Sequence, residues 1–292
     1  DYSVKSLYPV FNFRIDVGAE DRIYGRADRD TSRTAFARLV AGVSLPLSYH
    51  RNAVIFGFTP RMSTSQEIFD RGPAPYYGLR TLSYNFSTYA YQRLAYRDLF
   101  PRFGISAAAG FSHSPFKSWK RFRDLNVGQI LYGTAVLYMP GLLRHHSFRF
   151  FAGIQRRITM DAYFSDRIRF ARGYISWQND RLETFSASYS LPLAYPDLNL
   201  GSLIYAKRVK ANLFADHSRI VFNGHTSLWN TFGLDILVDA HLLRMPMPFE
   251  FGLRTMYLEN ENDFRFEFLW GVDFYAVGHL LKTRTMAPGP YF

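Results

Sequence analysis

Phe264-Arg265-Phe266-Glu267-Phe268-Leu269-Trp270-Gly271-Val272-Asp273-Phe274 is the stretch that decides the fold. Its even-numbered members are all apolar, and five of the six are aromatic. Its odd-numbered members include Arg265, Glu267 and Asp273. A period of two puts the two sets on opposite faces of an extended strand. A helix would need apolar residues three and four apart, and this spacing is missing. The same alternation recurs toward the N-terminus. Phe249, Phe251 and Leu253 oppose Glu250, Gly252 and Arg254; Phe232, Leu234, Ile236, Val238, Ala240 and Leu242 oppose Gly233, Asp235, Leu237, Asp239 and His241. At the far end of the chain Phe11, Phe13, Ile15 and Val17 oppose Asn12, Arg14 and Asp16.

Similar runs lie near 35–48, 53–61, 79–93, 102–113, 127–139, 146–157, 182–194 and 203–216, which makes about twelve strands. Turn signals separate them: Asp28-Arg29-Asp30, Arg71-Gly72-Pro73, Pro140-Gly141, Tyr195-Pro196-Asp197, Pro246-Met247-Pro248 and Glu259-Asn260-Glu261-Asn262. No helical pattern intervenes, so the expected class is all-β with antiparallel strands, and βαβ folds are excluded.

Composition narrows the architecture. The 292 residues include 28 Phe, 20 Tyr and 4 Trp, too much apolar surface for a disordered chain. The absence of cysteine rules out a disulfide scaffold and thiolate metal sites. No apolar run reaches the ~18–20 residues of a membrane-spanning helix. A net charge of +11 suits anionic neighbours such as lipid headgroups or lipopolysaccharide. Alternating strands fit either a soluble sandwich or a transmembrane barrel, whose apolar face meets lipid and whose polar face lines a lumen. Long strands favour the barrel, since soluble strands average ~5–6 residues and spanning ones need ~9–11. Aromatics near strand ends (Tyr138, Tyr189, Tyr205, Tyr257, Phe274) fit interfacial girdles. Small polar residues on the other face (Ser106, Gly110, Ser112; Thr184, Ser186, Ser188, Ser190) fit a wetted interior. The expectation is one outer-membrane β-barrel domain over residues 1–292, with a long lumen-directed loop at 158–181 and a C-terminal tail at 278–292.

Three stretches carry a resemblance: Pro140-Gly141-Leu142-Leu143-Arg144-His145-His146, Ala171-Arg172-Gly173-Tyr174, and Tyr195-Pro196-Asp197 running into Lys207-Arg208-Val209-Lys210-Ala211-Asn212-Leu213-Phe214. The region 139–216 resembles the C-terminal barrel of Bacteroidota outer-membrane proteins that carry a TolB-like propeller. Those barrels are similar to the BamA/TamA assembly superfamily (the bacterial surface antigen family). That superfamily has a Val/Ile-Arg-Gly-Phe/Tyr motif at the tip of a loop folded into the lumen, followed by five closing strands. Here Ala171 stands in the β-branched position, and strands near 182, 203, 231, 249 and 264 follow Arg172. The resemblance implies that Arg172 is paired by acids on the next strands; Ser190 stands where one of them belongs, and Asp216 where the other does. It also implies sixteen strands, more than 292 residues hold, so that four would precede Asp1; a complete twelve-stranded barrel is the alternative.

Candidate chemistry is sparse. His145 and His146 are adjacent and point to opposite faces of a strand, which suits a turn end better than a metal pair. Asp235, Asp239 and His241 share a face and form a candidate polar lumen cluster. No Gly-x-Ser-x-Gly elbow, phosphate-cradling glycine loop or zinc pattern occurs. The chain is therefore read as a non-enzyme, without cofactor or metal. Phe116-Lys117-Ser118-Trp119-Lys120-Arg121-Phe122-Arg123 suits a connection at headgroup level better than a nucleic-acid surface. The expected partners are outer-membrane lipid and lipopolysaccharide, with periplasmic domains or envelope-protein clients beyond them and no nucleic acid. By resemblance the function is assembly, insertion or translocation of envelope components. The alternatives are a passive pore and a structural anchor for a periplasmic propeller.

Overall fold

The computed structural model describes the chain apart from residues 1, 5–7, 25–29, 52, 72–73, 93–97, 116–127, 159–163, 175–178, 202, 243–247 and 273–292. Phe274, Asp273, the 116–123 stretch and the tail at 278–292 thus lie outside the described residues. The strands are β1 (Tyr2–Val4), β2 (Val10–Tyr24), β3 (Asp30–Ser44), β4 (Leu47–Arg51), β5 (Val54–Arg71), β6 (Ala74–Gln92), β7 (Gly104–His113) and β8 (Gln129–Pro140). They continue as β9 (Ser147–Ile158), β10 (Arg181–Ala194), β11 (Leu198–Leu200), β12 (Ile204–Phe222), β13 (His225–Leu242), β14 (Pro248–Leu258) and β15 (Asp263–Val272). All belong to one antiparallel sheet in which neighbours in sequence are neighbours in space. The short β4 and β11 pair beside the main path, on β5 and β12. Among the described residues β1 pairs with β2 and β15 with β14, and no ladder joins these two ends.

The all-β expectation holds, and each of the twelve expected runs lies within, or largely coincides with, a strand of ten residues or more. Several strands outrun the alternation. The run near 53–61 continues to Arg71, and that near 203–216 continues to Phe222. There Asn223 and Gly224, with φ of 50° and 80°, close a two-residue hairpin into His225. Two consecutive left-handed residues give the turn a twist that matches the flanking strands, which is why Asn-Gly serves there. The ladder breaks at Pro46, which has no N–H to donate, so β3 and β4 are separate strands along β5.

The two faces of the sheet have opposite characters, and the polar one is the covered one. On β15 Phe266 is 76% exposed and Trp270 72% exposed, while Arg265 and Glu267 are half-buried. On β14 and β13 Leu253, Ile236 and Phe232 are exposed. On β9 and β10 Ile154 and Phe185 are exposed, whereas Gln155, Arg157, Thr184, Ser186, Ser188 and Ser190 are buried. Asp216, Asp235 and Asp239 are buried as well. This reverses the usual arrangement, in which carboxylates stay at the surface and large apolar side chains go inside. Tyr138 departs from its expected girdle position: it is buried on the polar face, with rings of Tyr91 and Phe100 against it. Its neighbours Leu137 and Met139 take the exposed face, as period two requires.

Candidate functional site

What covers the polar face between β9 and β15 is the connection between β9 and β10. Its described stretch 164–174 lies across the polar face of β10, β12, β13 and β14. Register aligns the residues beneath it. Ser186 on β10 stands opposite Asp216 on β12, which stands opposite Thr231 on β13. One row along, Ser188, Phe214, Gly233 and Met256 are aligned in the same way. Antiparallel pairing carries one parity across all four strands, so each row is a line of side chains on a single face.

The connection is seated by apolar contact and by its own backbone. Ile168 packs with Leu182 and Ile220, with Phe170 and Trp229 beside them. Tyr174 packs against Phe214, Met256 and Leu258, and its ring stacks on Trp229 with centroids 4.9 Å apart. The Ala171 N–H donates to Ser218 Oγ at 2.9 Å, and Thr231 Oγ1 donates to the Arg172 carbonyl at 2.7 Å. Arg265 Nη1 donates to the Gly173 carbonyl at 2.7 Å. A backbone laid on a sheet face has no ladder, so these side chains supply the partners it would otherwise lack. Gly173 has φ +85°, and a Cβ there would sit 2.7 Å from both Met256 Sδ and Leu258 Cδ2. Only glycine fits that turn and that approach.

Arg172 is the charged centre. Its Nε lies 2.9 Å from Asp216 Oδ2, and its Nη2 donates to Asp216 Oδ1 at 3.3 Å, a forked contact. The Arg172 N–H donates to the same carboxylate at 3.1 Å. Nη2 also reaches Ser186 Oγ at 3.3 Å and Ser188 Oγ at 3.2 Å, and Nη1 lies 3.7 Å from Asp235 Oδ2. Ser186 donates to Asp216 in turn. Below the guanidinium, 3.8 Å from its carbon to the ring centroid, lies Phe214. Gly233 makes room for that ring, since a Cβ there would meet Phe214 Cζ at 2.4 Å. The Arg172 side chain is 15% exposed and that of Asp216 2% exposed. In this connecting segment burial lowers the Arg172 guanidinium from its ordinary value, against the pull of Asp216 and Asp235. Burial, then the Arg149 and Arg172 charges, lower Arg169 to about 10. At about 10 Arg169 stays cationic at neutral pH.

The expected Arg172–Asp216 pair is thus present, with Ala171, Gly173 and Tyr174 forming the tip around it. Ser190 takes no part: it donates to Asn212, and Ser186 and Ser188 are the β10 residues that face the arginine. The second carboxylate is Asp235, from β13. The cluster of Asp235, Asp239 and His241 is divided among different partners. Asp235 is held by Arg254 at 2.7 Å and Asn212 at 3.1 Å, and Asp239 by Arg208 and Lys210. His241 stacks on Tyr205. His145 and His146 also diverge, with Nδ1 atoms 2.7 Å from Asp98 Oδ1 and Tyr189 Oη respectively. Phe214 adds to the expected set of site residues, and parity marks it: it is an aromatic in the otherwise polar series Arg208, Lys210, Asn212, Asp216, Ser218.

The arrangement clamps a loop to a sheet face through a partly desolvated arginine, with hydroxyls and carboxylates filling its donor sites. No protein-family model matches the chain, and its sequence matches no curated protein.

Proposed function

We propose that the chain is a transmembrane β-barrel of the bacterial outer membrane, similar to the BamA/TamA superfamily, that serves in assembly, insertion or translocation of envelope components. The observation that carries the reading is the reversal of faces: Asp216 and Asp235 are buried while Phe266 and Trp270 are open. In water that pattern is unfavourable on both sides of the sheet. With the apolar face in hydrocarbon and the polar face lining an interior, both sides are in a matching medium. Twelve strands of ten residues or more are also long enough to cross a bilayer at a tilt.

The clamped connection favours an assembly role over a passive pore. An open channel leaves its polar face to water, whereas here residues 164–174 occupy that face from β9 to β15 and are fixed there by Arg172. Nitroxide labels on the chain in vesicles test the membrane reading. Position 266 should be relaxed by oxygen dissolved in lipid and position 267 by a water-soluble nickel chelate; the reverse pattern would refute it. Depletion in the native cell tests the role. Falling levels of other outer-membrane proteins are expected, and unchanged levels with a large single-channel conductance would make the chain a pore instead.

A further inference from the structure

A cavity of about 390 Å³ opens beside the Arg172 clamp, between β9, β10, β12, β13 and β14. Its wall carries five cations, Arg149, Arg169, Arg172, Lys210 and Arg254, and two carboxylates, Asp235 and Glu250. Three of the cations have carboxylates: Arg172 has Asp216 and Asp235, Arg254 has Asp235 and Glu267, and Lys210 has Asp239 and Glu250. The other two do not. Among the described residues neither Arg149 nor Arg169 makes an ion pair. Arg149 Nε is buried without a hydrogen-bond partner, and Arg169 lies over the Phe151 ring at 4.2 Å.

We propose that this cavity is a binding site for a phosphoryl group, held by Arg149 and Arg169. Two guanidiniums close enough to repel each other, in a partly desolvated cavity, are a strongly unfavourable arrangement when nothing negative stands between them. A buried donor without an acceptor adds to that cost. A tetrahedral dianion relieves both at once, because its oxygens accept from planar N–H forks and it offers one negative charge to each of the two arginines that lack an ion pair. Ser188 completes the wall: it accepts from Arg172, and among the described residues its own O–H has no acceptor. The neighbouring carboxylates already pair the charges of Arg172, Lys210 and Arg254, so the group seats toward β9. The volume suits a phosphate with a small ester substituent, and both a soluble phosphate and a lipid phosphate headgroup have that chemistry. The site is a property of the cavity and does not depend on the chain spanning a membrane.

Calorimetric titration of the detergent-solubilised full chain with inorganic phosphate tests the proposal, with sodium chloride at equal ionic strength as the control. Saturable binding is expected, weakened about tenfold by Arg149→Gln or Arg169→Gln and lost in the double variant. Removing unpaired cations should leave folding intact, so the phosphate-dependent rise in thermal midpoint should vanish while the anion-free midpoint holds or rises. Ser188→Asp provides a second route, placing a carboxylate directly opposite Arg149 across the β9–β10 ladder; it should exclude phosphate. Competition by dihexanoyl phosphatidic acid below its micelle concentration identifies the source. Tighter binding than phosphate assigns a lipid headgroup, and failure to compete assigns a soluble anion. No saturable binding beyond the chloride control, or equal binding by the double variant, would overturn the proposal.

Discussion

Two arginine–aspartate ion pairs lie in regions of this sheet that treat them differently. On β2 Arg14 Nε lies 2.6 Å from Asp16 Oδ1, two residues along one strand, with the arginine side chain 57% exposed. Between β12 and the 164–174 connection, Arg172 meets Asp216 at 2.9 Å with both groups largely buried. The strands around both pairs obey period two, and the apolar sets opposite them, Ile15 and Val17 or Leu213 and Leu253, are equally exposed in kind. The difference is the cover. Alternation selects the face on which a charge sits, but a second layer of chain is needed before that charge is desolvated enough to hold anything in place. The C-terminal region is a site because a connection has been laid over it.

The largest effect that this comparison predicts is from Asp216→Ala. It leaves the Arg172 guanidinium with Asp235 at 3.7 Å as its nearest acid, and strands a backbone N–H as well. Loss of one partner of a buried pair costs about 3–5 kcal/mol, measured as the shift in urea unfolding of the refolded chain. The double variant with Arg172→Ala should be less harmful than the two single losses added, by about 1–3 kcal/mol. Strict additivity would mean that the two residues act independently and that the clamp is no clamp.

Substitutions on the apolar face ask whether the two regions share one medium. Ile15→Arg on β2 and Leu253→Arg on β14 should each cost about 2–4 kcal/mol in vesicles if these positions lie at mid-depth in hydrocarbon. Arg254, the next residue on β14, is already an arginine and is accommodated on the polar face by Asp235 and Glu267. Little cost at position 15 beside a full cost at 253 would show that β2 lies outside the apolar layer. Smaller again is Gly173→Ala, which forces a Cβ into Met256 and Leu258 at a left-handed turn. Strain of that kind costs about 1–3 kcal/mol. Its signature is local: faster proteolysis within 164–174, with the sheet intact.

Most of the sheet is legible in the sequence, because one apolar and one polar medium impose period two on every strand between them. The alternation fails where that contrast ends. From His217 to Asn230 the exposed side of the hairpin carries His217, Arg219, Thr226 and Asn230 with few large apolar residues, so strand boundaries drawn from apolar spacing stop at 216 and resume at 231. Asn223-Gly224 was the readable signal there. Within the site, Arg172 and Asp216 are legible through the motif and the parity of β12. Asp235 and the serines are less so, because which strand faces the arginine depends on how far the connection reaches across the sheet. Nothing local encodes that distance. It follows from Ile168 and Tyr174 finding apolar seats on β10, β12 and β14.

The smallest expected effect falls on the pair with the shorter distance. Arg14→Ala removes a 2.6 Å contact, closer than the 2.9 Å of Arg172 to Asp216, and should cost less than about 1 kcal/mol. Distance alone would rank the pairs the other way. Solvent decides instead. At a given separation the Coulomb energy scales inversely with the effective dielectric, which is several-fold lower around a buried pair than beside water. The Arg14 side chain is 57% exposed and already faces water, whereas Arg172 released from Asp216 stays under the connection. The salt dependence should therefore separate them too. Raising ionic strength from low salt to 1 M shortens the screening length to about 3 Å and should erase whatever Arg14 contributes. The Arg172–Asp216 coupling, largely buried under residues 164–174, should keep most of its value. Unfolding curves of the two single variants at both salt concentrations read this directly. An Arg14→Ala cost that matches Asp216→Ala and resists salt would mean that β2 too is covered, and the contrast between the two regions would collapse.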